Sequence, residues 1–242
     1  MISSLEKFVN KTSVKIGTAL FGVLFAYKLA TAHISQEAYA HEEQENMRYE
    51  AYIKLGGMAF KDGDIPEGHK SWINAGLDAT FGTGNFKLKT NAEIGGMFEP
   101  VDDDPELPQT FYILSTKASY YFPTDTGFTF YPFAKLGFNR WLRNENPKHK
   151  DGFGELSFLS GNIGIGAKYR SFYAETGVSL PVWSQTNYSH NPSGKVGFNA
   201  ALGLEWKRLH FEILYEQTRF SQDGTQPGFE LNQYGARLGI KF

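Results

Sequence analysis

The chain contains no cysteine, and this absence removes several kinds of chemistry at once. A disulfide framework, a thiolate nucleophile and a cysteine-based metal site are all excluded. The formal net charge of −2 shows no basic excess of the kind that polyanion-binding proteins carry. We therefore expect no nucleic acid among the partners of this chain, and we assign it no metal site and no cofactor.

Strong overall hydrophobicity is also missing. The mean hydropathy is −0.38, which excludes a polytopic helical membrane protein. A membrane β-barrel is compatible with this value, because its strands alternate apolar and polar residues whose hydropathies average out near neutral. The aromatic share of 16% and the 26 glycines argue against a disordered chain.

The N-terminal segment has the layout of an export signal. A stretch with three lysines, residues 7–15, precedes an apolar run at residues 16–29, and small residues follow in A-x-A motifs that end at Ala32 and Ala40. This order is typical of a secretory signal, and the run is short for a spanning helix, which needs about 20 apolar residues. We predict a signal peptide over residues 1–40, cleaved after Ala32 or Ala40; the alternative is an uncleaved anchor helix.

Beyond residue 47 the sequence alternates with period two. In residues 73–81 the odd positions are Ile, Ala, Leu, Ala and Phe, whereas the even positions are Asn, Gly, Asp and Thr. Such alternation is typical of a strand with one apolar and one polar face. The runs of this kind lie at about residues 48–60, 70–82, 85–98, 110–122, 128–142, 156–169, 172–183, 195–206, 209–219 and 232–242. Each can cross a bilayer when tilted, since about 9–11 residues suffice.

The connections between these runs alternate in length. The long ones are residues 61–69, 99–109, 143–155, 184–194 and 221–230, and the tight ones are residues 82–84, 123–127, 170–171 and 207–208. Long extracellular loops and short periplasmic turns, with aromatic residues clustered beside the turns, are typical of outer-membrane barrels. The sequence therefore predicts an all-β, transmembrane, antiparallel up-and-down β-barrel of about ten strands over residues 47–242; eight or twelve strands would also fit.

The charges decide which face of each strand meets lipid. A cation near the middle of the lipid-facing surface costs roughly 2–4 kcal/mol, so several of them would exceed the stability of an ordinary domain, about 5–15 kcal/mol. We therefore expect the polar face to line the lumen, where its glycines would leave room for long charged side chains. The predicted lumen charges are Lys54, Asp78, Lys87, Lys89, Glu93, Lys117, Lys135, Lys168, Glu175, Glu205, Glu212, Glu216 and Arg237.

The C-terminal segment, residues 234–242 (YGARLGIKF), carries a resemblance to a known class. It resembles the last strand of bacterial outer-membrane β-barrel proteins, which ends in alternating apolar residues and a terminal Phe. The resemblance implies insertion by the barrel-assembly machinery, with Tyr234, Leu238, Ile240 and Phe242 as the assembly signal. It also implies residence in the outer membrane of a Gram-negative bacterium, in contact with lipid and lipopolysaccharide. Oligomeric partners stay open.

Candidate chemical sites outside the lumen are weaker. A barrel of ten strands resembles the omptin surface proteases, but the only histidine within a run is His210, at the periplasmic end, so their catalytic motif does not carry over. His69, His149 and His190 lie in or beside the long loops, and residues 101–106 (VDDDPE) form an acidic loop that could hold Ca²⁺ or Mg²⁺. We favour solvated loop residues in each case.

The lumen charges allow two interpretations. Bases concentrate on the third to fifth runs and acids on the seventh to ninth, and opposed charges of this kind form the constriction of a narrow pore. They can equally form a salt-bridged plug, which we favour because small barrels are filled by side chains. We expect a structural or surface-interaction protein or a narrow porin-like channel, and no enzyme. The alternatives are an outer-membrane enzyme with a rim site (an omptin-like protease or a lipid A-modifying enzyme) and an adhesin or receptor that uses the loops.

Overall fold

The computed structural model describes residues 47–62, 65–97, 110–142, 155–186, 192–221 and 228–242. The predicted signal peptide lies outside the described residues. The strand segments are β1 (Met47–Asp62), β2 (Ile65–Thr83), β3 (Phe86–Met97), β4 (Thr110–Tyr120), β5 (Phe122–Pro123), β6 (Phe128–Leu142), β7 (Glu155–Tyr169), β8 (Phe172–Thr186), β9 (Gly194–Lys195), β10 (Gly197–Trp206), β11 (Leu209–Phe220) and β12 (Phe229–Lys241). No helix in this part of the chain is long and apolar enough to span a membrane.

The strands close into a single ring. Each long strand pairs antiparallel with the next one along the chain, and β12 returns to pair with β1, so that Tyr52 lies between Gly76 on β2 and Gly239 on β12. The two-residue segments β5 and β9 lie directly after β4 and directly before β10 in the chain. The prediction of a closed, ten-strand, up-and-down antiparallel barrel is confirmed.

The outer surface of the ring is apolar. The side chains of Ile163, Ile165, Phe172, Leu202 and Ile213 come from four different strands and are 63–65% exposed. Closure of the ring pairs the backbone of the strands and leaves no free sheet edge, which is the condition for a β-structure in lipid. An apolar surface on a closed antiparallel barrel identifies the chain as an outer-membrane β-barrel, as the sequence predicted.

Aromatic side chains collect at the short-turn end of this surface. The ring centroids of Phe128 and Tyr169 lie 4.4 Å apart, and those of Tyr120 and Phe122 lie 4.9 Å apart. Tyr49 and Phe242 stack at 6.1 Å, where the two ends of the barrel domain meet. Amphipathic rings favour the boundary between lipid and water, so this belt marks the periplasmic interface.

Two of the short turns have an unusual backbone. Arg170 and Lys207 adopt φ angles of 55° and 53°, in the left-handed region that residues with a Cβ disfavour by roughly 1–2 kcal/mol. In each case the cationic group lies over the preceding aromatic ring, 5.2 Å from the Tyr169 centroid and 5.5 Å from the Trp206 centroid. These cation–aromatic contacts offset part of the backbone strain.

The first predicted long connection is wrong in extent. β1 and β2 stay paired up to Asp62 and Ile65, so residues 61–62 belong to β1, residues 65–69 belong to β2, and His69 lies within a strand rather than in a loop. β8 likewise continues to Thr186. Apolar side chains are needed only where the strands contact lipid. Backbone hydrogen bonds between strands do not depend on apolar side chains, so the pairing continues above the membrane. The loop residues 98–109, 143–154, 187–191 and 222–227 lie outside the described residues.

β8 also contains an irregularity that simple alternation does not predict. Pro181 lies opposite Ser160 and Trp183 lies opposite Leu159, which leaves Val182 as an extra residue in the ladder. As in other β-bulges, the alternation of faces shifts by one residue at this point. Val182 and Trp183 are consequently both exposed, at 59% and 46%.

Replacement of one residue of the apolar surface tests the assignment of the two faces. We expect Leu202→Lys to lower the free energy of unfolding in lipid vesicles by about 2–4 kcal/mol, because Leu202 lies near the middle of β10 and faces lipid. Leu202→Phe, which stays apolar, is the matched control and should leave stability nearly unchanged. Denaturant titration of the refolded barrel measures both, and an unchanged Leu202→Lys variant would show that this face meets water.

Candidate functional site

The interior of the barrel is filled by three successive groups of side chains. Going from the long-loop end to the short-turn end, these are an apolar layer, an ionic layer and a solvent-accessible mouth. The apolar layer consists of Met58, Trp72, Phe111, Trp141, Leu156, Phe158, Phe220 and Leu231. The ionic layer is centred on Glu50, Asp78, Lys89, His210, Glu212 and Arg237. The periplasmic mouth contains Arg48, Lys87, Lys168, Glu205 and Lys241, and its cavity reaches inward to Glu50, Lys89, Lys117, Glu175, His210 and Glu212.

The apolar layer spans the lumen. Phe158 on β7 meets Phe220 on β11 edge-on at 5.4 Å between centroids, although β8 and β10 lie between these strands in the sheet. Phe158 also contacts Trp141, with ring centroids 5.0 Å apart and ring planes again nearly perpendicular. Edge-to-face geometry is the favourable arrangement for aromatic pairs, and a contact between non-neighbouring strands has to cross the interior.

This layer is dry, and the alternation of residue types did not predict it. Its members are only 0–4% exposed. The prediction treated the inward face as polar throughout, whereas this face becomes apolar near the long loops. A signal was present: Trp141 is in phase with Lys135 on β6, and Phe111 is in phase with Lys117 on β4. Following the inward positions to the end of each strand would have revealed the layer.

Arg237 is the centre of the ionic layer. Its Nε and Nη2 atoms donate to the same carboxylate oxygen of Glu50, at 3.0 and 2.5 Å, and Nη2 also donates to Asp78. The guanidinium lies flat over the Tyr52 ring, 3.6 Å from its centroid. Lys89 reaches Asp78 from the other side at 2.5 Å. These contacts tie β12, β1, β2 and β3 together from the inside.

A chain of hydrogen bonds extends the ionic layer across β11 to β8. Nδ1 of His210 lies 2.7 Å from Glu50, and Nε2 lies 2.7 Å from the hydroxyl of Tyr173, which donates its only proton to Glu212. Both ring nitrogens of His210 are therefore committed to protein atoms. The layer holds the cations of Arg237 and Lys89 and the ring of His210 against the three carboxylates of Glu50, Asp78 and Glu212.

Two further ion pairs lie in the lumen, and each joins one lysine with one glutamate. Lys54 pairs with Glu93 at 2.5 Å, and Asn74 donates to the second oxygen of Glu93 at 3.1 Å. Lys117 on β4 pairs with Glu175 on β8 at 2.7 Å, across two intervening strands. At this pair, a base and an acid from different walls of the lumen form a direct ion pair. They do not face each other across an open constriction.

Inward glycines accommodate tyrosine rings, which corrects the expectation that they make room for charged chains. A Cβ atom on Gly76, Gly166 or Gly203 would lie 2.1–2.4 Å from the ring of Tyr52, Tyr131 or Tyr173, respectively. Only glycine permits such close approach. The ring of Tyr131 is thereby positioned to donate its hydroxyl proton to Glu175 at 2.9 Å. Gly239 is the exception among the inward glycines of the described residues, because the Glu50 carboxylate occupies the space that a Cβ atom would take there.

The mouth contains a cavity of about 150 Å³. Its outer charged residues are partly exposed, with Lys168 at 32% and Glu205 at 31% of their side-chain surface, so this end of the lumen admits water. Glu205 binds Lys168 at 2.5 Å through one oxygen and Lys241 at 2.6 Å through the other. Lys87 lies 4.4 Å from the centroid of the Tyr121 ring.

The structure places every predicted lumen charge on the interior face. Lys135 and Glu216 are half-buried there. The residues predicted as an assembly signal face outward: Tyr234, Leu238 and Ile240 are 47–55% exposed, and Phe242 belongs to the aromatic belt. His149, His190 and the acidic loop at 101–106 lie outside the described residues, and within the described part no three potential metal ligands converge.

Comparisons with known proteins return likenesses of fold at low identity. Neisserial surface protein A (NspA) shares 11% identity, with a TM-score of 0.37 over 80% of this chain and 97% of that one. Outer membrane protease OmpT from Escherichia coli shares 7% identity, with a TM-score of 0.43 over 83% of this chain and 97% of that one. The translocator domain of autotransporter NalP from Neisseria meningitidis shares 10% identity, with a TM-score of 0.41 over 95% of this chain and 98% of that one. No family model and no curated protein matches the sequence.

Removal of the central guanidinium tests the ionic layer. We expect Arg237→Met to lower the free energy of unfolding by about 3–5 kcal/mol, because it leaves Glu50 and Asp78 buried without their common partner. Adding Glu50→Gln to Arg237→Met should recover part of the loss. The exposed turn residue Arg208 supplies the control, and Arg208→Met should change stability by less than about 0.5 kcal/mol. Equal effects of Arg237→Met and Arg208→Met would refute a structural role for the layer.

Proposed function

We propose that this outer-membrane β-barrel is sealed and does not conduct solutes, and that it serves as a structural and surface protein of the outer membrane. The observation that carries the proposal is the apolar layer, whose side chains are 0–4% exposed and meet across the lumen. A solute channel needs a continuous path of water through the barrel. Apolar constrictions interrupt such paths by excluding water, even where a narrow gap remains.

The ionic layer supports the proposal as a second barrier. A solute that passed the apolar layer would next meet Arg237, Glu50 and Asp78, which are 5%, 5% and 2% exposed. Opening this layer would require the separation of buried, hydrogen-bonded charges. Breaking one such pair is strongly destabilising, by about 3–5 kcal/mol. Spontaneous opening is therefore rare, and the protein should not behave as a narrow pore.

The long-loop end supports a role at the cell surface. The outer face there carries two ion pairs, Arg140–Glu155 at 2.6 Å and Arg219–Glu230 at 3.2 Å, above the apolar surface. The hairpin of β1 and β2 also continues to Asp62 and Ile65 beyond the last apolar alternation. Charged outward side chains are unfavourable in lipid, so these strand ends stand at the level of lipopolysaccharide or above it. We propose lipid and lipopolysaccharide as the molecules that surround the barrel.

The absence of enzymatic activity stays a prediction. The one histidine whose side chain is described, His210, is 2% exposed, and both of its nitrogens are bonded to protein atoms. Tyr173 is equally committed to His210 and Glu212. A catalytic group needs a free position directed at a substrate, and this arrangement offers none. We likewise propose that the outward C-terminal residues, from Tyr234 to Phe242, are recognised by the barrel-assembly machinery.

Conductance in planar bilayers tests the proposal. The refolded wild-type protein should insert, keep its heat-modifiable mobility on gels and give no discrete current steps. A quadruple variant, Phe158→Ala and Phe220→Ala with Lys117→Met and Glu175→Gln, should give more current steps than the wild type, because it opens a gap in the apolar layer and removes the ion pair that crosses the lumen.

The lipid-facing pair Phe198→Ala with Phe211→Ala provides the control, since these side chains are 55% and 52% exposed on the outer surface. This variant should stay silent like the wild type. Discrete steps from the wild-type barrel would contradict the proposal.

A further inference from the structure

The periplasmic mouth departs from the charge balance of the rest of the lumen. In the deeper interior, Arg237 and Lys89 face the carboxylates of Glu50, Asp78 and Glu212, and the Lys54–Glu93 and Lys117–Glu175 pairs are each neutral. The lining of the mouth cavity instead carries six lysine and arginine side chains (Arg48, Lys87, Lys89, Lys117, Lys168 and Lys241) against four carboxylates (Glu50, Glu175, Glu205 and Glu212). The excess of positive charge is therefore local to this end of the lumen.

Two of these cations, Arg48 and Lys87, have no carboxylate partner within the described residues. Glu205 uses one oxygen for Lys168 and the other for Lys241. Lys87 contacts the face of the Tyr121 ring, where it is repelled by Lys168, Arg48 and Lys241 and attracted by Glu205. Like charges held together by the walls of a cavity destabilise one another, and a bound anion relieves this repulsion.

We propose that the mouth binds a phosphate group, held mainly by Lys87 and Arg48 and supported by Lys168 and Lys241. An ammonium and a guanidinium are the donors that best match the oxygens of a phosphate. The cavity of about 150 Å³ admits one compact anionic group, and its partly exposed charged residues keep the group accessible from the periplasm. Free phosphate and the phosphate of a small headgroup share this chemistry. The site lies apart from the apolar layer, so it stands whether or not the barrel is sealed.

Calorimetric titration with sodium phosphate tests the site directly. The refolded full barrel, in an uncharged detergent at low ionic strength, should bind one phosphate, while sodium chloride at matched ionic strength should give no comparable heat. The double variant Arg48→Met with Lys87→Met should weaken binding by about tenfold or more, because it removes charged hydrogen bonds to the anion.

Two other variants separate this result from loss of folding. Arg170→Met with Lys207→Met removes two cations from turns at the same end but outside the cavity, and it should bind phosphate like the wild type. Glu205→Gln removes the one carboxylate that competes for Lys168 and Lys241, and it should bind phosphate more tightly than the wild type. A gain in affinity cannot arise from an unfolded protein.

The outcomes decide both the site and the source of its ligand. Equal loss in the mouth variant and the turn variant would overturn the proposal, as would heats no larger than those of chloride or weaker binding by Glu205→Gln. A parallel titration with glycerol 3-phosphate distinguishes the sources. Tighter binding than phosphate supports a headgroup as the ligand, and weaker binding supports free phosphate.

Discussion

Hydrocarbon offers no partner to an ionised group, and this constraint arranges the whole molecule. A strand with alternating faces can satisfy it only when its backbone is paired on both sides and its charges point away from lipid. Closing the ring between β12 and β1 does both at once. Arg237 on β12 lies one strand from Glu50 on β1 and two strands from Asp78 on β2, and its bonds to these residues hold together the strands at which the ring closes.

Three different solutions fill the lumen because three different environments surround it. Near the long loops, aromatic and aliphatic side chains exclude water and meet across the axis. In the middle, charged groups are buried together with matched partners, and tyrosine rings above glycines direct hydroxyls into the network. At the periplasmic mouth, water reaches the side chains, and unmatched cations are tolerated because they are solvated. The asymmetry along the axis gives the barrel one closed end and one end that is accessible to solvent.

The alternation of residue types was enough to predict the ring, its strand number and the faces of the strands, because a period of two leaves each residue only one of two directions. It also placed Lys117 and Glu175 on opposite sides of the same lumen. Alternation could not predict the bulge at Val182, since an inserted residue breaks the register that the prediction relies on. Alternation also did not predict that β1 and β2 stay paired above the membrane, because pairing there no longer requires apolar residues. The pairing of His210 with Glu50 and Tyr173 depends on the shear between strands, which the sequence does not encode locally.

The four tryptophans provide the most direct test of the central claim, that the apolar face meets lipid while the ionic face is enclosed. Trp183 and Trp206 point outward, at 46% and 59% exposure, whereas Trp72 and Trp141 belong to the apolar layer, at 1% and 4%. Variants that keep one tryptophan each can be refolded into vesicles of lipids with brominated acyl chains, which quench indole fluorescence on contact. The account predicts strong quenching of Trp183 and Trp206 and little quenching of Trp72 and Trp141; the reverse pattern, or equal quenching of all four, would contradict it.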